Sequence, residues 1–147
     1  MALHELAGSP RGEVKVRVRL FNAGDETLVR RGVLKPDQVR MYETDAVVDT
    51  GAVRSVLPRH VCERLGIALV AERVARYADG REDIVGATEP VRFEILDRDS
   101  YDDALVLGDQ VLIGQTVLEK TDLVVDGRRG KVFPNPAHPD QPVNHVR

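Results

Sequence analysis

The chain has very little cysteine, since Cys62 is the only one among its 147 residues. A single thiol forms no intrachain disulfide and supplies no metal site built from several cysteines, so the fold does not depend on an oxidising compartment. The first residues lack the basic segment and long apolar run of a signal peptide, and no apolar run is long enough to span a bilayer. We expect a cytoplasmic protein with no membrane partner.

An excess of positive charge is also missing. Lys and Arg total 21 against 24 Asp and Glu, the formal net charge is -3, and the two signs are interspersed. A nucleic-acid partner calls for clustered positive charge. Tryptophan is absent, and three tyrosines and three phenylalanines are too few for a platform that stacks single-stranded bases. The composition therefore argues against a nucleic-acid partner.

Several catalytic and metal-binding patterns are absent as well. The four histidines, at positions 4, 60, 138 and 145, do not have the paired spacing of a zinc site. Ser55 lies outside the Gly-x-Ser-x-Gly frame of serine hydrolases. We expect no metal and no cofactor.

Short apolar segments separated by turn residues make up most of the sequence. From Glu13 to Leu20, apolar and charged residues alternate strictly, which predicts a half-buried strand. Two short helices are predicted over residues 57–66 and 115–121. Further strands are predicted over residues 26–34, 41–48, 91–95, 104–107 and 110–113, and hairpins over residues 73–88 and 123–133. The pattern predicts a mostly β protein.

The length suits one domain, which we expect to span residues 13–133. Residues 1–12 form an N-terminal segment before it. Residues 134–147 are rich in proline and polar residues, a composition that buries little apolar surface, so we expect a disordered or loosely attached tail.

One carboxylate has an informative setting. Ala46-Val47-Val48 is typical of a strand buried on both faces, and Asp49-Thr50-Gly51 follows it directly. A glycine allows another backbone to approach, and a threonine hydroxyl can hydrogen-bond across to it. Two such carboxylates brought together share one proton, so that one activates water while the other protonates a peptide carbonyl. Asp-Thr-Gly also forms ordinary turns, so this motif alone leaves both interpretations open.

The surroundings of this motif resemble the retropepsin-like aspartic proteases. The resemblance rests on Ala46 to Ala52 followed by Leu57, and on Val111-Leu112-Ile113-Gly114 followed by Leu118. It extends in order over residues 13–133. It implies a closed, barrel-like acid-protease (retropepsin) fold with one or two short helices and a flap hairpin between the two motifs.

The resemblance also implies roles for individual residues. Asp49 is the catalytic acid or base, and Thr50 and Gly51 complete the active-site loop. Expected substrate contacts are Ala52, Ile113 and the flap turn made by Tyr77, Ala78, Asp79, Gly80 and Arg81. The chain has one Asp-Thr-Gly, so the catalytic pair requires a homodimer acting on a polypeptide substrate. The hairpin over residues 123–133 is a candidate for further dimer contact.

Two positions depart from the retroviral pattern, which has an acidic residue where Val53 stands and an arginine where Gln115 stands. An alternative function is therefore a catalytically silent dimerisation or peptide-binding module with the same fold. A third hypothesis makes Asp49 a phosphoryl acceptor. That hypothesis lacks a phosphate-cradling glycine loop and a second metal-binding aspartate near Asp49.

Overall fold

The computed structural model describes residues 13–147, which form eleven strands, three short helices and one 3-10 turn. The helices are α1 (Ala23–Arg30), α2 (Arg59–Leu65) and α3 (Gln115–Thr121), and the 3-10 turn is Pro36–Gln38. The strands are β1 (Val14–Asn22), β2 (Met41–Val48), β3 (Val56–Leu57), β4 (Leu69–Arg76), β5 (Glu82–Thr88), β6 (Val91–Ile95), β7 (Arg98–Asp102), β8 (Leu105–Val106), β9 (Leu112–Ile113), β10 (Leu123–Asp126) and β11 (Lys131–Pro134).

Nine of the strands form one mixed sheet in the order β4-β5-β8-β3-β9-β2-β1-β6-β7. The pairs β2–β9 and β3–β8 are parallel, and the other pairs are antiparallel. The sheet curls into a half-barrel with β4 and β7 at its two ends. Strands β10 and β11 form a separate hairpin. The prediction of a mostly β protein is confirmed.

The hydrophobic core lies inside the curl of the sheet. Along β1 the apolar residues are buried and the alternate charged residues are exposed, as the strict alternation predicts. Side chains from β2, β3, β6, β8, β9 and β10 and from the helices α2 and α3 also belong to the cluster. The largest fully buried members include Phe93, Leu20, Leu57 and Leu65. Burial of this apolar surface is the main stabilising contribution to the fold.

The strand predicted over residues 26–34 is wrong, because α1 occupies Ala23–Arg30. The side chain of Asn22 caps this helix by accepting a hydrogen bond from the Asp25 N–H at 3.0 Å. The acidic residues Asp25 and Glu26 in the first turn favour the positive end of the helix dipole. The fold therefore has three short helices rather than one or two.

A buried carboxylate joins α1 to the rest of the molecule. The side chain of Asp25 accepts hydrogen bonds from Arg40 Nε and Nη2, both at 2.9 Å, and from the Arg40 N–H at 3.0 Å. The amide of Asn22 donates to the Leu65 carbonyl at the end of α2 at 2.8 Å. These contacts fix the insertion between β1 and β2 against α2.

The tail after β11 forms no helix or strand over residues 135–147. The sequence leads us to expect a loose attachment, whereas three of its residues bind the carboxylate of Asp122. This carboxylate accepts the Asn135 side-chain amide at 3.0 Å and the Val143 N–H at 3.0 Å, and it contacts His138 Nδ1 at 2.6 Å. The hydrogen bond from Asn135 makes the largest contribution to lowering the pKa of Asp122 to about 2.

Within residues 13–147, no helix has the length and apolar character needed to cross a membrane.

The Asp25 contacts generate a prediction about stability and pH. The hydrogen bonds from Arg40 lower the pKa of Asp25 in the folded state. Because the pKa is lower in the folded state, the ionised Asp25 stabilises the folded protein at pH values above the ordinary carboxyl pKa. This contribution is lost as the pH falls towards the pKa of the folded state. Asp25→Asn should therefore reduce the free energy of unfolding at pH 7 by about 1–3 kcal/mol, and the difference should shrink on acidification.

Urea unfolding at a series of pH values measures this effect. The matched control is Asp37→Asn, which changes an exposed acid in the same insertion and should leave stability unchanged. A loss in Asp25→Asn that is the same at all pH values would contradict the role given to the charge.

Candidate functional site

Asp49 lies directly after β2, at the point where the strand leaves the core. The three residues before it are all buried, as the run of apolar residues predicts. The N–H of Asp49 donates to the Ile113 carbonyl at 3.0 Å, which extends the parallel pairing of β2 with β9 by one hydrogen bond. The backbone of Asp49 is thereby fixed to a neighbouring buried strand.

A tight turn holds the side chain of Asp49. Its Oδ1 accepts a hydrogen bond from the Gly51 N–H at 2.9 Å, and its carbonyl accepts one from the Ala52 N–H at 3.2 Å. A Cβ on Gly51 would lie 3.3 Å from Oδ1, so the glycine permits this close turn. Over residues 13–147, Oδ2 of Asp49 has no hydrogen-bond partner. One oxygen is therefore held while the other is available.

The turn is accessible to a second molecule. Asp49 is partly buried, and Thr50 and Gly51 are exposed. The Thr50 hydroxyl likewise has no partner within the described chain. The carboxylate and the hydroxyl thus belong to neighbouring residues of a solvent-accessible turn at the end of the buried strand.

The start of α3 supports the other side of the turn. The Gln115 N–H donates to the Ala52 carbonyl at 2.7 Å, and Thr116 donates to the Val53 carbonyl through its N–H and its hydroxyl, both at 3.1 Å. A Cβ on Gly114 would lie 2.5 Å from the Arg54 carbonyl oxygen. A glycine is therefore required where the second motif meets the first.

The predicted contact of Ile113 with substrate requires an accessible side chain, whereas the Ile113 side chain is buried. Its side chain is 0% exposed and belongs to the hydrophobic core. Its carbonyl, rather than its side chain, supports the carboxylate loop by accepting the Asp49 N–H. Ile113 is therefore a supporting residue behind the loop.

The sheet carries a second apolar face that the sequence analysis does not identify as part of the site. Its members are cross-strand partners along one row, which we call the apolar row: Ala87, Leu105, Val56, Leu112 and Val47. Side chains alternate between faces along a strand, and the chain neighbours Val48, Leu57 and Val106 belong to the core. The row therefore lies on the opposite face, and it ends two residues before Asp49.

The signal for this row is present in the sequence. The run Ala46-Val47-Val48 predicts burial on both faces of β2, and the structure confirms it. The same reasoning applied to Val111-Leu112-Ile113 would have separated Leu112, on the apolar row, from Ile113, in the core.

The predicted flap turn lies at the end of the β4–β5 hairpin. The N–H of Tyr77 donates to the Arg81 carbonyl at 2.8 Å, and that of Gly80 donates to the Tyr77 carbonyl at 2.9 Å. Gly80 has φ 91°, a conformation that favours glycine. Ala78, Asp79, Gly80 and Arg81 are exposed, while Tyr77 is partly buried.

Side chains stiffen this turn. The guanidinium of Arg81 lies 5.2 Å from the centre of the Tyr77 ring and binds Asp79. The Tyr77 hydroxyl donates to Asp83 at 3.0 Å. Burial, followed by this hydrogen bond, raises the pKa of the Tyr77 phenol. These side-chain contacts restrain the turn at the end of the hairpin.

The predicted site residues fall into two groups. Asp49, Thr50, Gly51, Ala52 and Ile113 meet at the junction of β2 and β9. The turn residues 77–81 lie at the end of the hairpin, and within residues 13–147 no hydrogen bond or ion pair joins them to the carboxylate loop.

The two positions that depart from the retroviral pattern carry no charged side chain. Val53 is 66% exposed, beside the carboxylate loop. The side-chain amide of Gln115 donates to Glu119 on its own helix at 3.3 Å. In the described part of the chain, no group of three His, Cys, Asp or Glu side chains is arranged to hold a metal ion.

Comparison with known proteins does not identify a family for this chain. No family model matches the chain, and no curated protein matches its sequence.

The close contact at Gly114 generates a prediction about the loop. Gly114→Ala places a methyl group against the Arg54 carbonyl, so the two backbones must separate, and we expect a loss of about 1–3 kcal/mol in the free energy of unfolding. Thermal unfolding measures it. The control is Gly127→Ala, where a Cβ would meet no atom within 4 Å. Equal stabilities of the two variants would contradict the close packing of the motifs.

Proposed function

We propose that this protein is a homodimeric aspartic endopeptidase of the retropepsin-like type. One observation carries the proposal. The backbone of Asp49 is held at the end of a buried strand by two hydrogen bonds, its Oδ1 accepts the Gly51 N–H, and its Oδ2 and the Thr50 hydroxyl have no partner within residues 13–147.

The second carboxylate comes from another copy of the chain. The sequence contains one Asp-Thr-Gly, so a twofold axis beside the loop would bring the two Asp49 side chains together. Carboxylates at such a distance cannot both ionise easily and share one proton. The exposed Thr50 hydroxyl is then available to bind the backbone of the partner loop.

In the proposed reaction, the charged Asp49 takes a proton from a water molecule held between the two carboxylates. The resulting hydroxide attacks the carbonyl carbon of the scissile peptide, while the protonated Asp49 donates its proton to the carbonyl oxygen. The Asp49 that took the proton of the water then passes it to the leaving nitrogen, while the other Asp49 takes a proton back from a hydroxyl of the tetrahedral intermediate. The C–N bond breaks, and the pair again shares one proton. The Gly51 N–H keeps Oδ1 in place throughout.

The apolar row supports an extended polypeptide as substrate. It lies beside Asp49 on the face opposite the core. Four of its five members are buried in the single chain, so apolar substrate side chains could pack there only when the structure that covers the row moves away. The β4–β5 hairpin is the proposed flap. Pairing puts Ala75 on the same face as Ala87, and Ala75 is buried, which supports a hairpin that bends over the row. Binding would require this hairpin to open and close.

The closed, barrel-like acid-protease fold is part of the proposal. In that arrangement the half-barrel of each subunit and the two flaps would enclose the substrate, which would add a strand between flap and floor.

A second candidate function is a catalytically silent dimerisation or peptide-binding module. The exposed Val53 and the internal hydrogen bond of Gln115 favour it, because the charges of the retroviral pattern are missing at both positions. Both functions use the same dimer and the same groove. They differ in whether bound peptide is hydrolysed.

Asp49→Asn tests the proposed chemistry. The amide is nearly isosteric but cannot act as a base, so we expect hydrolysis of a quenched-fluorescent peptide library to fall by at least about 1000-fold, with an unchanged dimer by sedimentation. The matched control is Asp109→Asn, an exposed acid just before the second motif, which should retain activity. Cleavage that survives Asp49→Asn would refute the mechanism, and tight peptide binding without cleavage by the wild type would favour the silent module.

The β10–β11 hairpin is the proposed additional dimer contact. Its pair Val125 and Val132 packs against the core. The adjacent pair Val124 and Phe133 points to the other face, because neighbouring pairs alternate, and both residues are partly exposed. This apolar pair supports an isologous contact between two hairpins.

Phe133→Asp should weaken the dimer at least about tenfold, because a charge would enter an apolar contact. Analytical ultracentrifugation measures the dissociation constant, and circular dichroism checks the fold. Val124→Asp is an independent second variant, and Arg128→Asp, at the exposed turn, is the control that should remain dimeric. Unchanged dimerisation in both apolar variants would place the contact elsewhere.

A further inference from the structure

Ser55 lies just before β3, behind the carboxylate loop, and is 1% exposed. Its Oγ accepts a hydrogen bond from the Gly114 N–H at 2.9 Å. Its carbonyl accepts one from the Leu105 N–H at 3.0 Å, so its backbone is fixed to the neighbouring strand β8. The hydroxyl therefore has a defined position from which to act on Gly114.

The Gly114 N–H belongs to the peptide group that holds Asp49. The Ile113 carbonyl and the Gly114 N–H are the two ends of one planar peptide unit. The carbonyl end accepts the Asp49 N–H at 3.0 Å, and the N–H end binds Ser55. A rotation of this plane would move both ends at once. The hydroxyl thus sets the direction from which the carbonyl meets Asp49.

Water is poorly placed to replace this hydroxyl. Gly114 and Ser55 are both buried, and a Cβ on Gly114 would lie 2.5 Å from the Arg54 carbonyl oxygen. A buried N–H that loses its acceptor carries a free-energy penalty until it finds another. Without the hydroxyl, the peptide plane is free to turn towards a different acceptor, and the Ile113 carbonyl turns with it.

We propose that Ser55 is a positioning residue for Asp49, acting through the Ile113–Gly114 peptide. Its effect on hydrolysis rests on the proposed function. Its effect on the backbone of Asp49 does not, so the two parts can be tested separately.

The experiment compares Ser55→Ala with a matched loss of a buried hydroxyl elsewhere. Thr88 is 1% exposed, and its Oγ1 accepts the Ala104 N–H at 2.9 Å, the same kind of bond as that of Ser55. Thr88→Val removes this bond away from the Asp49 loop. Ser55→Thr keeps the hydroxyl and tests for rescue.

Kinetics on quenched-fluorescent peptides form the first arm. We expect Ser55→Ala to lower kcat by about 10- to 100-fold with KM within about twofold, because misplacement of a reacting group affects the chemical step most. Ser55→Thr, which keeps the hydroxyl, should retain kcat close to that of the wild type. A kcat of Ser55→Ala within about twofold of the wild type, or an equal loss of kcat in Ser55→Thr, would overturn the positioning role.

Amide hydrogen exchange at Asp49, measured by NMR, forms the second arm and needs no substrate. We expect exchange in Ser55→Ala to be at least about tenfold faster than in Thr88→Val, after correction for global stability. Equal exchange would overturn the inference. If the wild type cleaves no peptide, the proposed function fails while this arm still decides the role of Ser55. If Ser55→Ala does not fold, Ser55→Cys, with a weaker acceptor, takes its place with the same expected order.

Discussion

The hydrogen bond from the Asp49 N–H to the Ile113 carbonyl is the contact on which the candidate site depends. Strand β9 has two residues, so its pairing with β2 is short and leaves few contacts to place the carboxylate. The molecule compensates by fixing the end of β9 from several directions. Three contacts restrain the residues that follow Ile113. Gly114 packs closely on Arg54, the Gly114 N–H binds the Ser55 hydroxyl, and the first N–H of α3 binds the carboxylate loop.

The two faces of the sheet have different roles. The core side provides the apolar burial that makes β2 and β9 rigid. The opposite side carries the apolar row, which is where the proposed function requires a surface for substrate. The end of β2, just before Asp49, contributes to both faces, because Val48 packs into the core while Val47 is the last residue of the apolar row. The proposed chemistry and the stability of the fold thus depend on the same short segment.

Local sequence patterns predict the elements that are stabilised by residues close together in the chain. The bounds of β2 and α3 agree with the sequence analysis, because apolar periodicity and an initial glycine define them. A strand is predicted over residues 26–34, but the cap at Asn22 and the distant partner Arg40 stabilise the helix Ala23–Arg30 instead. The attachment of the tail to Asp122 and the bond of Ser55 to Gly114 also join residues far apart in sequence, so no local pattern reports them.

The central claim is that two copies of one carboxylate meet across a twofold axis. A crystal structure of the dimer measures this most directly, through the distance between the closest carboxyl oxygens of the two Asp49 side chains. We expect the two oxygens to lie within hydrogen-bonding distance, about 2.5–3.2 Å. A separation beyond about 6 Å, at which the carboxylates would titrate almost independently, would contradict it.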